Sequence, residues 1–361
     1  MKGIILGVGL SSPFGLDARQ TALVFRAKKL APEKASFGDR SGFGLGNVRS
    51  RRLPDSLVGR ERLLELAAPA LAEAIRGLPS QPGPLPLFLS LPPRRAEAEQ
   101  PLGADFLEAL GKRAQVPIAL ESSEPFPIGH AGFAAALERA LTFLATPPPP
   151  APLQGLPFGR LGKAPEPTGP AKPKPTYALV GGVDSYHDPA VLDALDKESR
   201  VNAEGIWDGF VPSEGAAFVV VALPDANLPV VGRVLGLGLG MERPEDPQNP
   251  TVAEAATELV RIVATNLRTP VPWALPDLNC ERHRVKEWTF VRIRNGETFH
   301  DTATVETRLC DELGDVGAAT GAVSTAFVCS AWKLGFAPAN QALVFLSSDG
   351  PARGAIALGA P

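Results

Sequence analysis

Apolar residues in the first half of the chain alternate between short runs and helical spacing. Residues 4–10 form an apolar run that ends in glycines, which predicts a buried strand, and residues 18–28 are amphipathic. The same two patterns then recur along the chain. Strands are predicted at residues 85–91, 116–120, 177–185 and 216–223, and helices at residues 60–76, 104–114, 132–144 and 191–197.

A second round of the same patterns begins at residue 230. Two successive rounds, each opening with a strand that contains glycines, indicate a duplicated α/β architecture in which helices cover mostly apolar mixed sheets. In this second round, strands are predicted at residues 230–238, 273–278 and 342–347, and helices at residues 251–267 and 318–332.

Residues 146–175 interrupt the pattern with four consecutive prolines and seven further ones. Such a composition favours an extended chain without a core of its own. Four basic residues against one glutamate make the segment locally basic. We interpret it as an insertion loop, either a plain surface linker or a docking loop for a partner. The predicted N-terminal half is then residues 1–145 and 176–228, and the C-terminal half is residues 229–361.

The composition is that of a globular chain, with 361 residues, 44% of them hydrophobic, and a net charge of −3. That charge gives no reason to expect a nucleic-acid or membrane partner. The first apolar run is too short for a signal peptide, and no run approaches the ~20 apolar residues of a membrane span, which predicts a cytoplasmic protein. The three cysteines lack metal-type spacing, and we expect neither a metal nor a cofactor.

Several glycine-containing segments resemble landmarks of the β-ketoacyl synthase branch of the thiolase superfamily. They keep the order and spacing of that family across nearly the full chain. The resemblance implies a duplicated thiolase fold, layered α-β-α-β-α with mixed sheets. The segments are residues 7–15, 181–185, 209–217, 236–241 and 314–323.

The chemically active positions of that family are substituted in this chain. Gly129 matches the position of the nucleophilic cysteine, Glu281 and Asp315 match the two histidines, and Cys310 matches the lysine. A glycine offers no nucleophile, and an ionised carboxylate cannot donate a hydrogen bond to an oxyanion. The resemblance therefore implies a scaffold without the condensing residues. The glycine-rich segment near the C-terminus is also replaced, by residues 349–353.

Unconventional nucleophiles are the alternative to a lost site. A one-residue slip of the match places His130 at the nucleophile position, although a helix N-terminus disfavours the imidazolium form. Cys280 and Ser123 are two further candidates for acyl transfer. His283 lies two residues after Glu281 and, on a loop, cannot simply replace the missing histidine.

The substituted residues also allow a new site. Glu281, Asp315 and His130 would converge in a thiolase geometry as a hard metal site or an acid/base pair, and one carboxyl group would then have a raised pKa. The simpler interpretation is structural. Asp315 then caps the following helix, and Glu281 forms an ion pair with Arg282 or Arg284.

Residues 277–288 resemble a second, more specific motif. Their Asn-x-Glu-Arg turn and Glu-Trp pair are similar to a segment of thiolase-like proteins that are encoded beside type VI secretion effectors. Those proteins lack the condensing set. The resemblance implies an accessory role in loading or stabilising an effector, so the expected partner is a PAAR-type effector or its adaptor.

Three functions are therefore compared. The first is a non-catalytic, protein-binding accessory factor, the second a β-ketoacyl synthase or acyltransferase with an unconventional residue, and the third an inactive, chain-length-factor-like partner of a true ketosynthase. Thiolase-fold proteins commonly dimerise through a strand just before the nucleophile helix, which corresponds here to residues 116–120. We therefore expect a homodimer, although Pro117 weakens strand pairing.

Overall fold

The computed structural model describes most of the chain. The described residues are 1–27, 33–38, 44–78, 83–95, 102–146, 176–203, 206, 208–225, 227–243 and 252–361. The proline-rich residues 147–175 lie outside this set, so our interpretation of that segment, and of the boundaries it sets between the halves, stays a prediction.

The N-terminal half alternates strands and helices, and most of them lie where the hydrophobic pattern predicts. In chain order they are β1 (Gly3–Ser11), α1 (Ala18–Ala27), β2 (Glu33–Gly38), β3 (Gly44–Asn47), α2 (Gly59–Ile75), β4 (Leu87–Ser90), α3 (Ala104–Ala114), β5 (Glu124–Phe126), α4 (Gly132–Ala145), β6 (Tyr177–Ser185), α5 (Pro189–Lys197) and β7 (Glu214–Ala222).

The C-terminal half contains a second series of elements. They are β8 (Gly232–Met241), α6 (Glu254–Ala264), β9 (Trp273–Pro276), α7 (Arg282–Arg294), β10 (Val305–Glu306), α8 (Cys310–Leu313), α9 (Thr320–Lys333), β11 (Gln341–Ser347) and β12 (Ala352–Gly359). Within the described ranges, none of the helices is long and apolar enough to cross a membrane.

The strands of the two halves have the same order and the same sense. The order is β1-β7-β6-β4-β5 in the first half and β8-β12-β11-β9-β10 in the second. In each half the first three strands are antiparallel neighbours and the last two are added in parallel. A short antiparallel pairing of β1 with β8 joins the halves into one sheet. This repeat confirms the duplicated α/β architecture.

The two halves of the sheet and the helices on their faces form five layers, in the order helices, first half, helices, second half, helices. The apolar side chains of α4 and α9 form a central buried cluster with strands of both halves. Helices α2 and α3 cover the outer face of the first half, and α6 and α7 cover that of the second. The two central helices start close together, because His130, just before α4, lies 3.5 Å from Asp315, just before α9. This junction is the place where the sequence predicts the substituted site.

The close packing of α2 on β1 depends on glycine. A Cβ atom at Gly9 would lie 2.0 Å from the backbone oxygen of Ala70 and 2.7 Å from the backbone nitrogen of Ala74. Real Cβ atoms do not approach backbone atoms this closely. The glycines that end the first apolar run therefore allow a helix to lie directly on the strand.

The prediction of a strand at residues 116–120 is wrong. In the structure, Ile118 forms only an isolated bridge with Leu85, and the chain then enters a short 3₁₀ turn at Leu120–Ser122. The strand that precedes the central helix is β5, which pairs in parallel with β4. Because Pro117 lacks an amide hydrogen, this part of the chain cannot make a regular ladder.

Candidate functional site

Gly129, the predicted match to the nucleophilic cysteine, lies in a tight turn before α4. Its φ of +77° is in the left-handed region that favours glycine. The Ser90 hydroxyl donates to the Gly129 carbonyl oxygen at 3.2 Å, and the Ser348 hydroxyl accepts from the Ala131 amide at 3.0 Å. Serine hydroxyls thus fix the start of the helix. Because residue 129 is a glycine, no nucleophilic side chain is present at this position.

His130 is buried between two carboxylates. Its Nδ1 atom lies 2.8 Å from Asp277 Oδ2, and its Nε2 atom lies 3.5 Å from Asp315 Oδ1. Burial by itself lowers the pKa of His130, but the negative charges of Asp277 and Asp315 leave it above its ordinary value. The raised pKa favours the protonated imidazole, whose Nδ1 atom faces Asp277, and its Nε2 atom lies 3.5 Å from both Asp315 Oδ1 and Arg284 Nη2.

Arg284 supplies the second positive charge of this region. It is fully buried on α7, and its Nη atoms lie 3.3 Å from Asp277 Oδ2 and 2.7 Å from Asp349 Oδ1. It also donates to the backbone oxygen of Ser347, whose amide donates in turn to Asp277 at 3.1 Å. Burial raises the pKa of Asp277, but the charges of His130 and Arg284, with the hydrogen bonds from His130 and the Ser347 amide, leave it below its ordinary value.

Glu281 forms the predicted ion pair with Arg284 and has a closer partner that the sequence does not predict, Arg200. Arg200 donates to both carboxylate oxygens, at 2.8 and 3.0 Å, whereas Arg284 Nε is 3.6 Å away. Arg282 points outward and lies 3.9 Å from Asp208. Burial would raise the pKa of Glu281, but the hydrogen bonds from Arg200 hold it below its ordinary value. The raised pKa that we expected for a converging carboxyl group is therefore not found at Glu281.

Asp315 accepts hydrogen bonds from several directions. The Gly317 amide donates to its Oδ1 atom at 2.7 Å, in the turn before the 3₁₀ segment Gly317–Ala319. Helix α9 itself begins at Thr320 without a side-chain cap, so the predicted capping of that helix by Asp315 is not found. The side-chain amide of Asn279 donates to Oδ2 at 2.6 Å and to Glu281 at 3.0 Å. Asn279 thereby links the two carboxylates that stand at the histidine positions, and the predicted convergence of Glu281, Asp315 and His130 is present.

The network extends to the molecular surface through Asp349. Arg200 donates to both of its carboxylate oxygens, at 3.0 and 3.1 Å, and Arg284 donates to one of them. These arginines hold the pKa of Asp349 far below its ordinary value, although burial alone would raise it. We call the set His130, Arg200, Asp277, Asn279, Glu281, Arg284, Asp315 and Asp349 the polar cluster.

Two carboxylates of the polar cluster, together with the neighbouring His283, have the residue types of a metal site. Ligand atoms of Glu281, His283 and Asp349 lie within 4.8 Å of one another. Both carboxylates, however, are already held by Arg200. A guanidinium group that occupies the space between the carboxylates supplies the positive charge that a cation would bring, so this arrangement does not fit a metal ion.

The space beside the polar cluster is very small. A cavity of about 20 Å³ is lined by Asp277, Cys310, Asp315 and neighbouring apolar side chains. That volume accommodates about one water molecule and no acyl chain. Burial, followed by the charge of Asp315, raises the pKa of the Cys310 thiol well above its ordinary value, so a thiolate is disfavoured here.

The two other alternative nucleophiles lie outside the polar cluster. Cys280 is exposed, with a φ of +76°, and its thiol has a raised pKa because of partial burial and the charge of Asp311. The Ser123 hydroxyl donates to the Ala119 oxygen at 2.8 Å and accepts from the Leu87 amide at 2.9 Å. These contacts give Ser123 a structural role in the turn before β5.

The geometry above defines a ketosynthase-like, thiolase-type fold, and comparison with solved structures agrees. One similar structure is a chain from a complex between a type II polyketide synthase acyl-carrier protein and its ketosynthase. It matches with a TM-score of 0.72 and 12% identity, over 100% of this chain and 99% of that chain. The ishigamide ketosynthase/chain length factor matches with a TM-score of 0.71, 12% identity and coverage of 100% and 99%.

A modular ketosynthase has the same fold. The ketosynthase from module 6 of the bacillaene synthase of Bacillus subtilis 168 matches with a TM-score of 0.69 and 11% identity, over 100% of this chain and 72% of that one. No protein-family model and no curated protein matches the sequence. At 11–12% identity these similarities establish the fold, and function must be argued from the site.

The charge of His130 gives the stability of the protein a pH dependence. A group whose pKa is raised on folding stabilises the fold fully below its unfolded pKa, about 6.5, and loses this contribution as the pH rises through the folded value. We expect the difference in unfolding free energy between the wild type and His130→Gln to be largest below about pH 6.5 and to shrink toward pH 9. Urea unfolding between pH 5 and 9 measures it.

The control for this prediction is His300→Gln. His300 is exposed and lies outside the polar cluster, so the substitution should leave the pH profile of stability unchanged. A wild-type advantage over His130→Gln that stays constant, or grows toward alkaline pH, would contradict a cationic His130.

Proposed function

We propose that this protein is a non-condensing, ketosynthase-fold scaffold that acts by binding another protein. The observation that carries the proposal is the closed polar cluster. Its charged side chains bond to one another at the positions where the resembling family has its nucleophile and oxyanion donors. The carboxylates of this cluster are paired with its own cations and amides, so their charge is compensated without a substrate.

The electrostatics of the cluster also oppose condensation. Stabilising an oxyanion requires hydrogen-bond donors aimed at developing negative charge. Asp315 and Glu281 place two acceptors there, and Asn279 already donates to both of them. The cavity beside Asp315, at about 20 Å³, is itself too small to hold an acyl chain. These features support a structural use of the site.

Incubation with acyl-carrier protein thioesters, followed by intact-mass spectrometry, tests the proposal. We expect neither a covalent acyl adduct nor a condensation product, under conditions in which a ketosynthase with its cysteine is fully acylated. A stoichiometric adduct on this chain would contradict the proposal. Mapping the adduct to His130, Cys280 or Ser123 would support the unconventional acyltransferase instead.

The partner implied by residues 277–288 is a PAAR-type secretion effector or its adaptor. In the structure this segment supplies four residues to the polar cluster, Asp277, Asn279, Glu281 and Arg284, and its remaining exposed residues lie on the surface. Co-expression with an effector that is encoded beside this chain should give a stoichiometric complex by light scattering. Separate elution of the two proteins would remove this partner class.

A chain-length-factor-like partner of a ketosynthase is the second candidate. The match to the ketosynthase/chain length factor over 100% of this chain and 99% of that chain supports it. Co-expression with a ketosynthase from the same gene neighbourhood should then give a heterodimer. Recovery of the ketosynthase as a homodimer, with this chain unbound, would count against the candidate.

A further inference from the structure

The outward side of helix α7 carries exposed apolar residues. Val285 is 44% exposed, and Ile293 is 70% exposed, the largest exposed fraction of any large apolar side chain that the structure describes. Thr289 lies between them, and its hydroxyl donates to the Val285 backbone oxygen at 2.7 Å. Residues four apart on a helix lie on the same side. Helix α7 therefore presents an apolar stripe to solvent, in addition to the inward side that packs on the second half of the sheet.

This stripe forms one wall of a groove on the surface. The opposite wall comes from residues 299–308, and the space between the walls is about 510 Å³. Its buried part is formed by Trp288 and Phe299, whose ring centroids are 5.3 Å apart. Trp288 Nε1 donates to Glu306 at 2.9 Å, so the polar atom of the indole already has a partner. We call this space, lined by Val285, Trp288, Ile293 and Phe299, the α7 groove.

The acidic side chains of the α7 groove are already bound. Arg292 donates to Glu306 at 2.9 Å and to Asp301 at 2.5 Å. A basic side chain of another molecule would have to compete with Arg292 for either carboxylate. The exposed Glu297 follows the C-terminal end of α7, away from the start of the helix.

The cations near the start of α7 are unpaired. Lys286 follows Val285 on the helix, Arg308 lies on the opposite wall, and both are exposed. Because β10 is parallel to β9, Arg308, just after β10, lies at the same end of the sheet as the start of α7, which follows β9. Among the residues that the structure describes, no acidic side chain forms an ion pair with Lys286 or Arg308. This end of the α7 groove therefore carries unpaired positive charge on both sides.

We propose that the α7 groove binds an acidic amphipathic helix of a partner protein. The apolar side of that helix contacts Val285, Ile293 and the buried rings, and its acidic residues pair with Lys286 and Arg308. Between residues 285 and 296 a helix rises by about 16 Å, which matches about three turns of a docked helix. An added strand does not fit, because β10 has only two residues with which to form a ladder. The inference rests on the proposed function, since it names the surface by which the scaffold binds its partner.

Two labelled model peptides test the inference on the full chain. Both have leucine at helical spacing. The first has glutamate at the exposed positions of its end turns, and the second has lysine in place of each glutamate. We expect the acidic peptide to bind with a Kd below about 100 µM in fluorescence anisotropy, and the basic peptide to bind at least about tenfold more weakly.

Matched variants locate the binding surface. Ile293→Asn should weaken binding of the acidic peptide at least about tenfold, because it removes apolar contact from the wall of the groove. Ile262→Asn is the control, since Ile262 is 58% exposed on α6, does not line the groove and should not affect binding. The double variant Lys286→Glu, Arg308→Glu should bind the basic peptide more tightly than the acidic one.

Several outcomes would overturn the inference. They are failure of the acidic peptide to bind the wild type, equal binding of the two peptides, and equal binding by the wild type and Ile293→Asn. A wild-type dimer that Ile293→Asn dissociates in sedimentation velocity also overturns it, because a second copy then covers the groove.

Failure of the inference is distinguishable from failure of the proposed function. A co-expressed partner that binds Ile293→Asn as tightly as the wild type leaves the scaffold function standing and removes the α7 groove as its surface. A stoichiometric acyl adduct in the mass-spectrometric assay contradicts the scaffold function instead, whatever the peptides show.

Discussion

Replacing Arg284 with alanine is expected to lower the free energy of unfolding by about 3–5 kcal/mol. The Arg284 side chain is 1% exposed and contacts Asp277 and Asp349. Its removal leaves the buried carboxylate of Asp277 with His130 as its remaining ion-pair partner and deprives Asp349 of one of its two arginines. Urea unfolding followed by circular dichroism at pH 7 measures the change.

The matched control lies two residues earlier on the same helix. Arg282 is 82% exposed and approaches Asp208 only to 3.9 Å, so Arg282→Ala should change stability by no more than about 0.5 kcal/mol. Arg284→Met keeps most of the side-chain volume and removes the charge, and it should remain strongly destabilising. Equal small losses for Arg284→Ala and Arg282→Ala would show that the polar cluster does not stabilise the fold.

Gly9→Ala is expected to cost about 3 kcal/mol or more, at the upper end of overpacking effects. The added Cβ atom would lie 2.0 Å from the Ala70 oxygen and 2.7 Å from the Ala74 nitrogen. Both are backbone atoms of α2, so the contact is relieved only by moving the helix away from β1. Thermal and urea unfolding report the loss of stability.

Gly77→Ala is the control for this substitution. Gly77 lies two residues after the end of α2, and a Cβ atom there meets nothing within 4 Å. It should therefore leave stability within about 0.5 kcal/mol of the wild type. A tolerated Gly9→Ala would mean that α2 can shift on the strand, and the close approach would then not determine the packing of this layer.

Most of the fold follows from hydrophobic periodicity, and its exceptions have physical causes. The predicted helix at residues 104–114 coincides with α3, and the predicted strand at 177–185 coincides with β6. Helix α7 was not predicted because its buried face carries Arg284, Glu287 and Trp288 beside Val291. These residues have helical spacing, but two of them are charged, so a search for apolar residues at helical spacing does not detect the helix.

The sequence located part of the candidate site and missed its long-range contacts. Local motifs indicated His130, Glu281 and Asp315, which the structure brings together. Arg200 was missed because it follows α5 in the other half, and no local pattern connects it with Glu281, 81 residues later. Its bidentate contact also explains why Glu281 has a lowered pKa where a raised one was expected.

The mutual pairing within the polar cluster constrains how this chain can evolve. Asp315→His would set a second imidazole beside His130, remove the acceptor of the Gly317 amide and free Asn279 from one of its bonds. This single step toward a condensing set therefore passes through a less stable protein. Because these side chains bond to one another, a substitution at one of them is tolerated only when its partners are substituted as well.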